Sequence, residues 1–270
     1  MESKAVKVNY HAHTPRCQHA KGSEAEYVES ALRAGFTCFG FADHAPWRYK
    51  TDKVSNIRML PDELPGYCDA VRAARERFAG QIDVHLGLEV EYFPEYLAWQ
   101  LEMRETLGIE YWLLGAHHYP SDEVAPNIGY KPPDKQAIRT YGTSCCEAMQ
   151  TGHFLYFAHP DLYLRLAKWN DETRAVAADL IACAKSCRMP LEFNLGNYAR
   201  QKDSPKEHLG CPCPPFWELA AREGVQCILG VDAHSPAVMQ DIALWDEAQA
   251  FLRGLGLCPL NDQDILKNQA

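Results

Sequence analysis

The 270-residue chain has no apolar run that approaches the roughly 20 residues needed to cross a bilayer. It also lacks a signal-peptide-like apolar stretch at its N-terminus, internal repeats, low-complexity tracts and Gly/Ser-rich linkers. The first two absences exclude a membrane protein and favour a cytoplasmic one. The others give no domain boundary, so we expect a single domain over residues 1–270.

Positive charge is also scarce, and the cysteines do not suit a disulfide framework. The chain has 27 Lys and Arg against 36 Asp and Glu, a net charge of −9, which argues against nucleic acid or an anionic membrane as its main partner. The 11 cysteines are an odd number in a chain too long for a small disulfide-stapled domain, so we expect reduced thiols. The sequence leaves the oligomeric state open.

Short apolar runs alternate with helix-like segments seven times along the chain. Strands that alternate with helices predict a parallel sheet with right-handed crossovers, either open or closed into a barrel. The predicted strands are Val6–Tyr10, Thr37–Ala42, Ile82–Val90, Tyr111–Gly115, Phe154–Ala158, Leu191–Asn194 and Gln226–Val231.

Potential metal ligands occur at six of these seven strands, in or just after their C-terminal ends, and eight of the 11 histidines are among them. In α/β barrels this end of the strands forms the active-site face. The ligand candidates, in chain order, are His11, His13 and His19, Asp43 and His44, Glu89 and Glu91, His117 and His118, His159 and Asp161, and Asp232 and His234.

The spacing of these residues indicates more than one metal ion. His11 and His13 are two residues apart in an extended segment, so their side chains share a face and can hold one ion. Asp232 and His234 have the same spacing, although they could serve different ions. The whole set exceeds the needs of one tetrahedral ion. Imidazole suits Zn, Fe, Mn or Ni, and carboxylates can bridge two ions, so we expect a cluster.

Six motifs together resemble those of the PHP (polymerase and histidinol phosphatase) family. They are HAHT with His11, FADH with His44, GLE with Glu89, GAHH with His117, AHPD with His159 and GVDAH with Asp232. The resemblance covers about residues 6 to 250. The length and spacing look most like the histidinol-phosphate phosphatase branch. The resemblance implies a distorted (βα)7 TIM-like barrel with a site for three divalent ions (Zn, Fe or Mn) at the C-terminal ends of the strands.

The resemblance also implies a ligand set. His11, His13, Glu89 and Asp232 would hold one ion, Glu89 would bridge to a second completed by His118 and His159, and the third would bind His19, His44 and His234.

Two choices within this set are ambiguous. Glu91 is the in-register alternative to Glu89, and the family pattern favours Glu89. His117 adjoins His118, and the family spacing favours His118. His117 would then either bind substrate phosphate or pack outward.

A cluster of divalent ions with few carboxylates has a net positive charge, so it favours an anionic ligand. It can also supply a metal-bridging hydroxide at neutral pH. This chemistry suits hydrolysis of a phosphomonoester. Arginine binds phosphate through a planar fork, and Arg165 and Arg200 follow relevant strands, where the branch places such arginines. Asp161 is a candidate proton donor, although a role in loop capping is equally consistent with its position.

The resemblance implies a phosphoric monoester hydrolase acting on L-histidinol phosphate in histidine biosynthesis. Glu91, Tyr92 and Trp47 are available to contact the organic part of the substrate, and loop 44–61 could form a lid. The alternative is a PHP phosphoesterase of other specificity, acting on a nucleotide or a cyclic phosphate diester. A non-catalytic metal-binding module is disfavoured because the ligand set is intact.

Overall fold

A parallel sheet of seven strands organises the part of the chain that this computed structural model describes, residues 7–202, 209–261 and 265–266. Each strand pairs in parallel with the next one in sequence, which is the strand order of a βα barrel. The strands are β1 (Val8–Asn9), β2 (Cys38–His44), β3 (Asp83–Val90), β4 (Tyr111–Leu114), β5 (Tyr156–Phe157), β6 (Leu191–Asn194) and β7 (Cys227–Gly230).

The first and last strands meet just beyond their C-terminal ends and bring the sheet round into a nearly closed barrel. Ala12 and Ala233 form a parallel bridge, in which His13 N–H donates to the Ala233 carbonyl at 2.9 Å. Asn9 reinforces this seam, because its side-chain oxygen accepts the Val231 N–H at 2.8 Å. The predicted seven-unit α/β barrel is thereby confirmed.

Helices cover the outside of the barrel, and their starts follow ordinary capping rules. Ser23 and Glu26 form a capping box, and Asp134 and Asn170 also cap helices with their side chains. Within the described residues, the helices are α1 (Glu24–Arg33), α2 (Leu64–Arg77), α3 (Leu97–Thr106), α4 (Lys135–Gln150), α5 (Asp171–Cys187), α6 (Leu195–Lys202), α7 (Pro214–Glu223) and α8 (Ile242–Gly254).

Helix α6 follows β6 directly and carries Arg200. The helix begins because the Asn194 side-chain oxygen accepts the Asn197 N–H at 2.8 Å, an interaction typical of a helix N-cap. The segment has little apolar periodicity and no loop separates it from its strand, so the sequence lacks the two features by which a helix is usually predicted.

Aromatic residues fill the lower part of the barrel. Tyr10, Tyr111 and Tyr156 are fully buried there, and Tyr111 Oη lies 2.8 Å and 2.9 Å from the carbonyl oxygens of Tyr10 and Phe41. This packed interior leaves the C-terminal end of the strands as the place for polar groups. Among the described residues, no helix combines the length and apolar character that a bilayer span would need.

Candidate metal centre

The extended segment after β1 places two imidazoles side by side at the barrel mouth. His11 and His13 are fully buried, and their Nε2 atoms lie 3.2 Å apart. The same two nitrogens lie 3.6 Å and 3.1 Å from Asp232 Oδ1, which reaches them from across the β1–β7 seam. The His-x-His pair and Asp232 therefore share one site, as the spacing predicts.

Glu89 lies at the centre of the candidate ligands. Its Oε2 faces ring nitrogens of His11 and His13 at 3.6 Å each and of His44 at 2.9 Å. Its Oε1 lies 2.8 Å from His159 Nε2. One carboxylate thus lies close to imidazoles from three parts of the chain, which is the position a bridging ligand requires.

A second group of imidazoles lies on the open side of the cluster. His19 Nε2 and His234 Nε2 are 2.9 Å apart, and His44 can offer a ligand atom within 4.8 Å of both. His19 is oriented by its own loop, since its Nδ1 lies 2.6 Å from the Cys17 carbonyl oxygen. The structure therefore brings together the three residues expected to bind a third ion.

Two of the candidate ligands have a strained backbone. His159 has φ of +35° and Asp232 has φ of +52°, and only two other non-glycine residues in the described part of the chain have positive φ. Non-glycine residues rarely adopt this region, and such strain is concentrated at functional sites. Both residues follow strand ends, where the backbone turns their side chains into the barrel mouth.

The structure places His117, and not His118, beside Glu89. His117 Nε2 lies 3.5 Å from Glu89 Oε1, and its ring centroid lies 4.8 Å from that of His159. His118 instead turns away from the cluster, with its Nδ1 3.0 Å from Glu91 Oε1. The irregular backbone after β4 reverses the alternation that an extended strand would have given, so His117 is the residue at the centre.

Glu91 is occupied by partners within the protein. Its carboxylate pairs with the Arg58 guanidinium and accepts the backbone N–H groups of His117 and His118 at 3.2 Å and 2.8 Å. Arg58 also anchors loop 44–61, so this segment is tied to the barrel instead of forming a free lid. Of the three residues expected to contact the organic part of the substrate, Glu91 and Trp47 are buried, and Tyr92 lines other cavities.

A layer of carboxylates lies behind the ligands, and sequence reasoning singled out Asp43 from it but missed Glu192. Glu192 Oε1 lies 2.7 Å from His11 Nδ1, and its Oε2 accepts the His159 N–H at 3.0 Å. Asp43 Oδ1 lies 3.4 Å from His13 Nδ1. Carboxylates in these positions fix the tautomer of a metal-ligating histidine. One feature of the sequence could have identified Glu192, because it is an acidic residue between Leu191 and Phe193 in a predicted strand.

Two motif glycines make room for these carboxylates. A Cβ atom on Gly115 would lie 2.6 Å from Glu89 Oε1, and one on Gly230 would lie 1.8 Å from Glu192 Oε1. The glycines of the GAHH and GVDAH motifs therefore serve the neighbouring strands, where a side chain would displace a carboxylate from the centre.

The donor set fits divalent cations. Two pairs of imidazole Nε2 atoms face each other at 3.2 Å and 2.9 Å, and buried Glu89 Oε2 accepts no hydrogen bond from any described residue. Facing ring nitrogens and a carboxylate oxygen without a hydrogen bond are costly when buried unless a proton or a cation lies between them, and bound divalent cations would satisfy all of them. Five overlapping groups of three residues have ligand atoms within 4.8 Å of one another; they draw on His11, His13, Cys17, His19, His44, Glu89, His117, His159, Asp232 and His234.

Neighbouring charges shift the pKa values of these groups in opposite directions. Burial opposes protonation of His11, but Glu192 and Asp232 outweigh it and raise the pKa of His11 to about 10. Burial and neighbouring imidazoles lower the pKa of His234 to about 3. Burial would raise the pKa of Glu89, yet the imidazoles around it hold that pKa well below its ordinary value. Metal ligands must be deprotonated, so protons and metal ions compete for this cluster.

A cavity of about 330 Å³ opens above the cluster. Arg165 and Arg200 line its wall, and Ile57, Asn127, Tyr130, Leu162 and Asn197 line the remainder beyond the candidate ligands. The carboxylates that line the cavity are Glu89 and Asp232, which both belong to the cluster. The structure thus places both predicted arginines where they could reach an anion held at the cluster.

The surroundings of Asp161 favour the loop-capping role that the sequence left open. Its Oδ2 accepts the Cys213 N–H at 2.5 Å and the Trp217 Nε1–H at 3.2 Å, and its Oδ1 accepts the Cys211 thiol at 3.2 Å. The residue is 1% exposed and points away from the cavity toward the segment before α7. Asp161 therefore anchors this segment.

Comparison with known proteins identifies the family. The sequence matches the PHP domain over residues 9–196. A probable histidinol-phosphatase of Deinococcus radiodurans is 30% identical over 235 residues, which cover 84% of this chain and 85% of that protein. A probable histidinol-phosphatase of Schizosaccharomyces pombe is 24% identical and covers 85% of this chain and 81% of its own length.

A solved structure has the same fold across almost the whole chain. The histidinol phosphate phosphatase of Lactococcus lactis, complexed with zinc, L-histidinol and phosphate, matches with a TM-score of 0.70 at 19% identity over 94% of this chain and 95% of its own. The domain match and the relatives agree with the motifs at the strand ends. The chain therefore belongs to the PHP domain family.

Proposed function

We propose that the protein is a metal-dependent phosphomonoesterase that hydrolyses L-histidinol phosphate to L-histidinol and phosphate. The observation that carries the proposal is the cluster of imidazoles and carboxylates on the floor of a cavity whose wall holds Arg165 and Arg200. The names of its relatives from Deinococcus radiodurans and Schizosaccharomyces pombe support this substrate.

The geometry supports a site for three ions. One would bind His11, His13, Glu89 and Asp232, and Glu89 would bridge to a second bound by His159 and by His117 in place of His118. His19, His44 and His234 would hold the third. Zn, Fe and Mn all suit such imidazole-rich ligands, and the zinc in the Lactococcus lactis complex favours Zn.

Bound divalent ions would lower the pKa of water to about 7 and neutralise phosphate charge. The side chains around them do the remaining work. Glu192 and Asp43 orient the imidazoles of His11 and His13, so the ligands are in place before substrate arrives. Arg165 and Arg200 would bind the non-bridging phosphate oxygens through their planar guanidinium groups.

The outer part of the cavity would receive the organic part of the substrate. Tyr130 offers an aromatic ring for an imidazole, and its side chain is 68% exposed at the cavity mouth. Asn127 and Asn197 bring amide groups to the same wall. Hydrolysis joins a water oxygen to phosphorus and breaks the phosphorus–oxygen bond to histidinol, which takes up a proton as it leaves.

A substrate panel tests the proposal. Purified protein loaded separately with Zn²⁺, Mn²⁺ or Fe²⁺ should release phosphate from L-histidinol phosphate faster than from nucleotides, sugar phosphates or a cyclic phosphate diester. Faster cleavage of a nucleotide or of the diester would replace histidinol phosphate with that substrate class. Elemental analysis of the active protein should give three metal equivalents per chain, and one equivalent would contradict the cluster.

The adjacent histidines provide a matched pair of variants for the ligand assignment. His117→Ala should remove one metal equivalent, whereas His118→Ala should retain all of them because its imidazole contacts Glu91 instead of Glu89. Loss of an equivalent only in His118→Ala would restore the assignment that the sequence favours.

We also propose that residues 1–270 form one domain. Candidate ligands come from both ends of the chain, from His11 to His234, and the described strands form one continuous sheet.

A further inference from the structure

A buried ion-pair network lies beside the metal centre, between the segments that follow β2, β3 and β4. It consists of Arg58, Glu91 and Asp122, and we call it the Arg58 network. The Arg58 side chain is 1% exposed. Its guanidinium contacts Glu91, bonds Asp122 Oδ2 through Nε at 3.0 Å and donates to the Ala45 carbonyl at 3.4 Å. One arginine thus joins three loops of the active-site face.

The Glu91 end of the network holds the backbone that carries His117. Glu91 Oε2 accepts the N–H groups of His117 and His118, and Oε1 lies 3.0 Å from His118 Nδ1. These contacts fix both residues of the turn after β4. The His117 carbonyl in addition accepts the Ile128 N–H at 2.7 Å, so the turn is held from both sides.

We propose that Arg58 is a positioning residue that keeps His117 at the metal centre by holding Glu91 in place. The inference rests on the proposed function as a metal-dependent phosphatase. Without the guanidinium, the Glu91 carboxylate would be a buried charge without its cation and would have to move or take up a proton. Either change would weaken its hydrogen bonds to the turn, and His117 would lose its fixed distance from Glu89.

The geometry favours positioning over a contribution to stability alone. A buried ion pair contributes little net stability compared with apolar side chains of similar volume. The Arg58 network is placed between a ligand-bearing turn and the loop that carries Asn127 and Tyr130, two residues of the cavity wall. Arginine suits this place because its planar fork can bond Glu91 and Asp122 at once, which the single ammonium of lysine does less well.

Metal titration in the absence of substrate tests the inference. In Arg58→Met, one Co²⁺ equivalent should bind about 10- to 100-fold more weakly than in the wild type, the range for loss of a group that orients a ligand. The remaining equivalents should keep their affinities. Arg58→Lys, which retains the charge, should show a smaller shift. Excess metal should restore kcat in both variants, because the ligand itself is still present.

A control variant separates positioning from general destabilisation. Leu180→Ala creates a cavity in α5, where Leu180 is fully buried. It should lower the melting temperature and leave every metal affinity unchanged. Equal metal affinities in Arg58→Met and the wild type would overturn the inference, as would an equal loss in Leu180→Ala at matched destabilisation.

A second variant keeps the test decisive if Arg58→Met fails to fold. Arg58→Met combined with Glu91→Gln removes both charges of this pair, so Glu91 is not left as a buried charge without its cation. This double variant should fold and still bind one equivalent weakly, because the link from the loops to the turn is lost. Full affinity in the double variant would overturn the inference. Intact metal binding in a wild type that does not hydrolyse histidinol phosphate would refute the proposed substrate alone.

Discussion

Glu89 in β3 and Glu91 just after it are two residues apart, at 1% and 2% exposure, yet their surroundings are opposite. Glu91 is satisfied from within the protein, by Arg58 and two backbone N–H groups. Glu89 is surrounded by imidazoles, and its Oε2 accepts no hydrogen bond from any described residue. A buried carboxylate needs a cation, and the chain supplies one to Glu91 while leaving Glu89 for metal ions.

The largest effect should come from Glu89→Ala. Removing the proposed bridging carboxylate should lower kcat/KM for histidinol phosphate by about 10³-fold or more, because metal coordination contributes several kcal/mol to such reactions. Glu91→Ala, assayed at equal folded fraction and saturating metal, should lose far less. Similar losses in the two variants would break the distinction between the carboxylates.

Stability should show the reverse order. Glu91→Ala should lower the free energy of unfolding by about 3–5 kcal/mol, since it leaves Arg58 buried with one partner fewer. Urea unfolding of metal-free protein measures this. Glu110→Ala is the control, because its pair with Arg75 is partly exposed, and it should cost about 0–1 kcal/mol. An equally small cost for Glu91→Ala would mean that water reaches the Arg58 network.

Glu192 extends the comparison to a carboxylate that acts through a ligand. Glu192→Gln keeps the size of the side chain but weakens the hold on His11 Nδ1. Metal affinity should fall by about 10- to 100-fold, measured by titration, while the fold is retained. An unchanged affinity would show that His11 is oriented by its own backbone.

The last comparison concerns two arginines with different roles. Arg165 lines the cavity, whereas Arg58 is buried beside it, so Arg165→Lys should leave metal content intact. Its kcat/KM for a phosphomonoester should fall by an amount equivalent to about 1.5–3 kcal/mol of transition-state stabilisation, the value for a hydrogen bond to a charged group. A matched phosphodiester should suffer less, because one of its oxygens is esterified. We expect the same of Arg200→Lys, and equal fractional losses on both esters would make these arginines structural.

Sequence periodicity was sufficient for the barrel and for most of the cluster. His11, His13 and Asp232 follow from strand ends and two-residue spacing, because extended backbone fixes which side chains share a face. Glu89 was favoured over Glu91 by the family pattern. The spacing argument fails after β4, where the chain is no longer extended and His117 replaces His118 at the centre. It also fails for Asp161, whose partners come from the segment before α7, some 50 residues away.

The local sequence pattern could not distinguish the role of Glu89 from that of Glu91, for a related reason. Both fit an alternating strand, and the residue that separates their roles, Arg58, is 33 positions from Glu91 in a loop without secondary structure. Glu192 was overlooked because a strand buried on both faces was read as apolar. Long-range charge pairing inside a barrel depends on the complete fold, and local composition does not encode it.

The seam where β1 meets β7 gives metal binding a second meaning. His11, His13 and His19 lie on one side of the seam, and Asp232 and His234 lie on the other. Ions bound between them would link segments 215 or more residues apart in sequence. A hundredfold excess of free metal over Kd would then stabilise the closed barrel by about 2.7 kcal/mol. The amide of His13, which donates across the seam to Ala233, would exchange its hydrogen with solvent faster when metal is scarce. The supply of metal would thus determine the stability of the β1–β7 seam as well as the rate of catalysis.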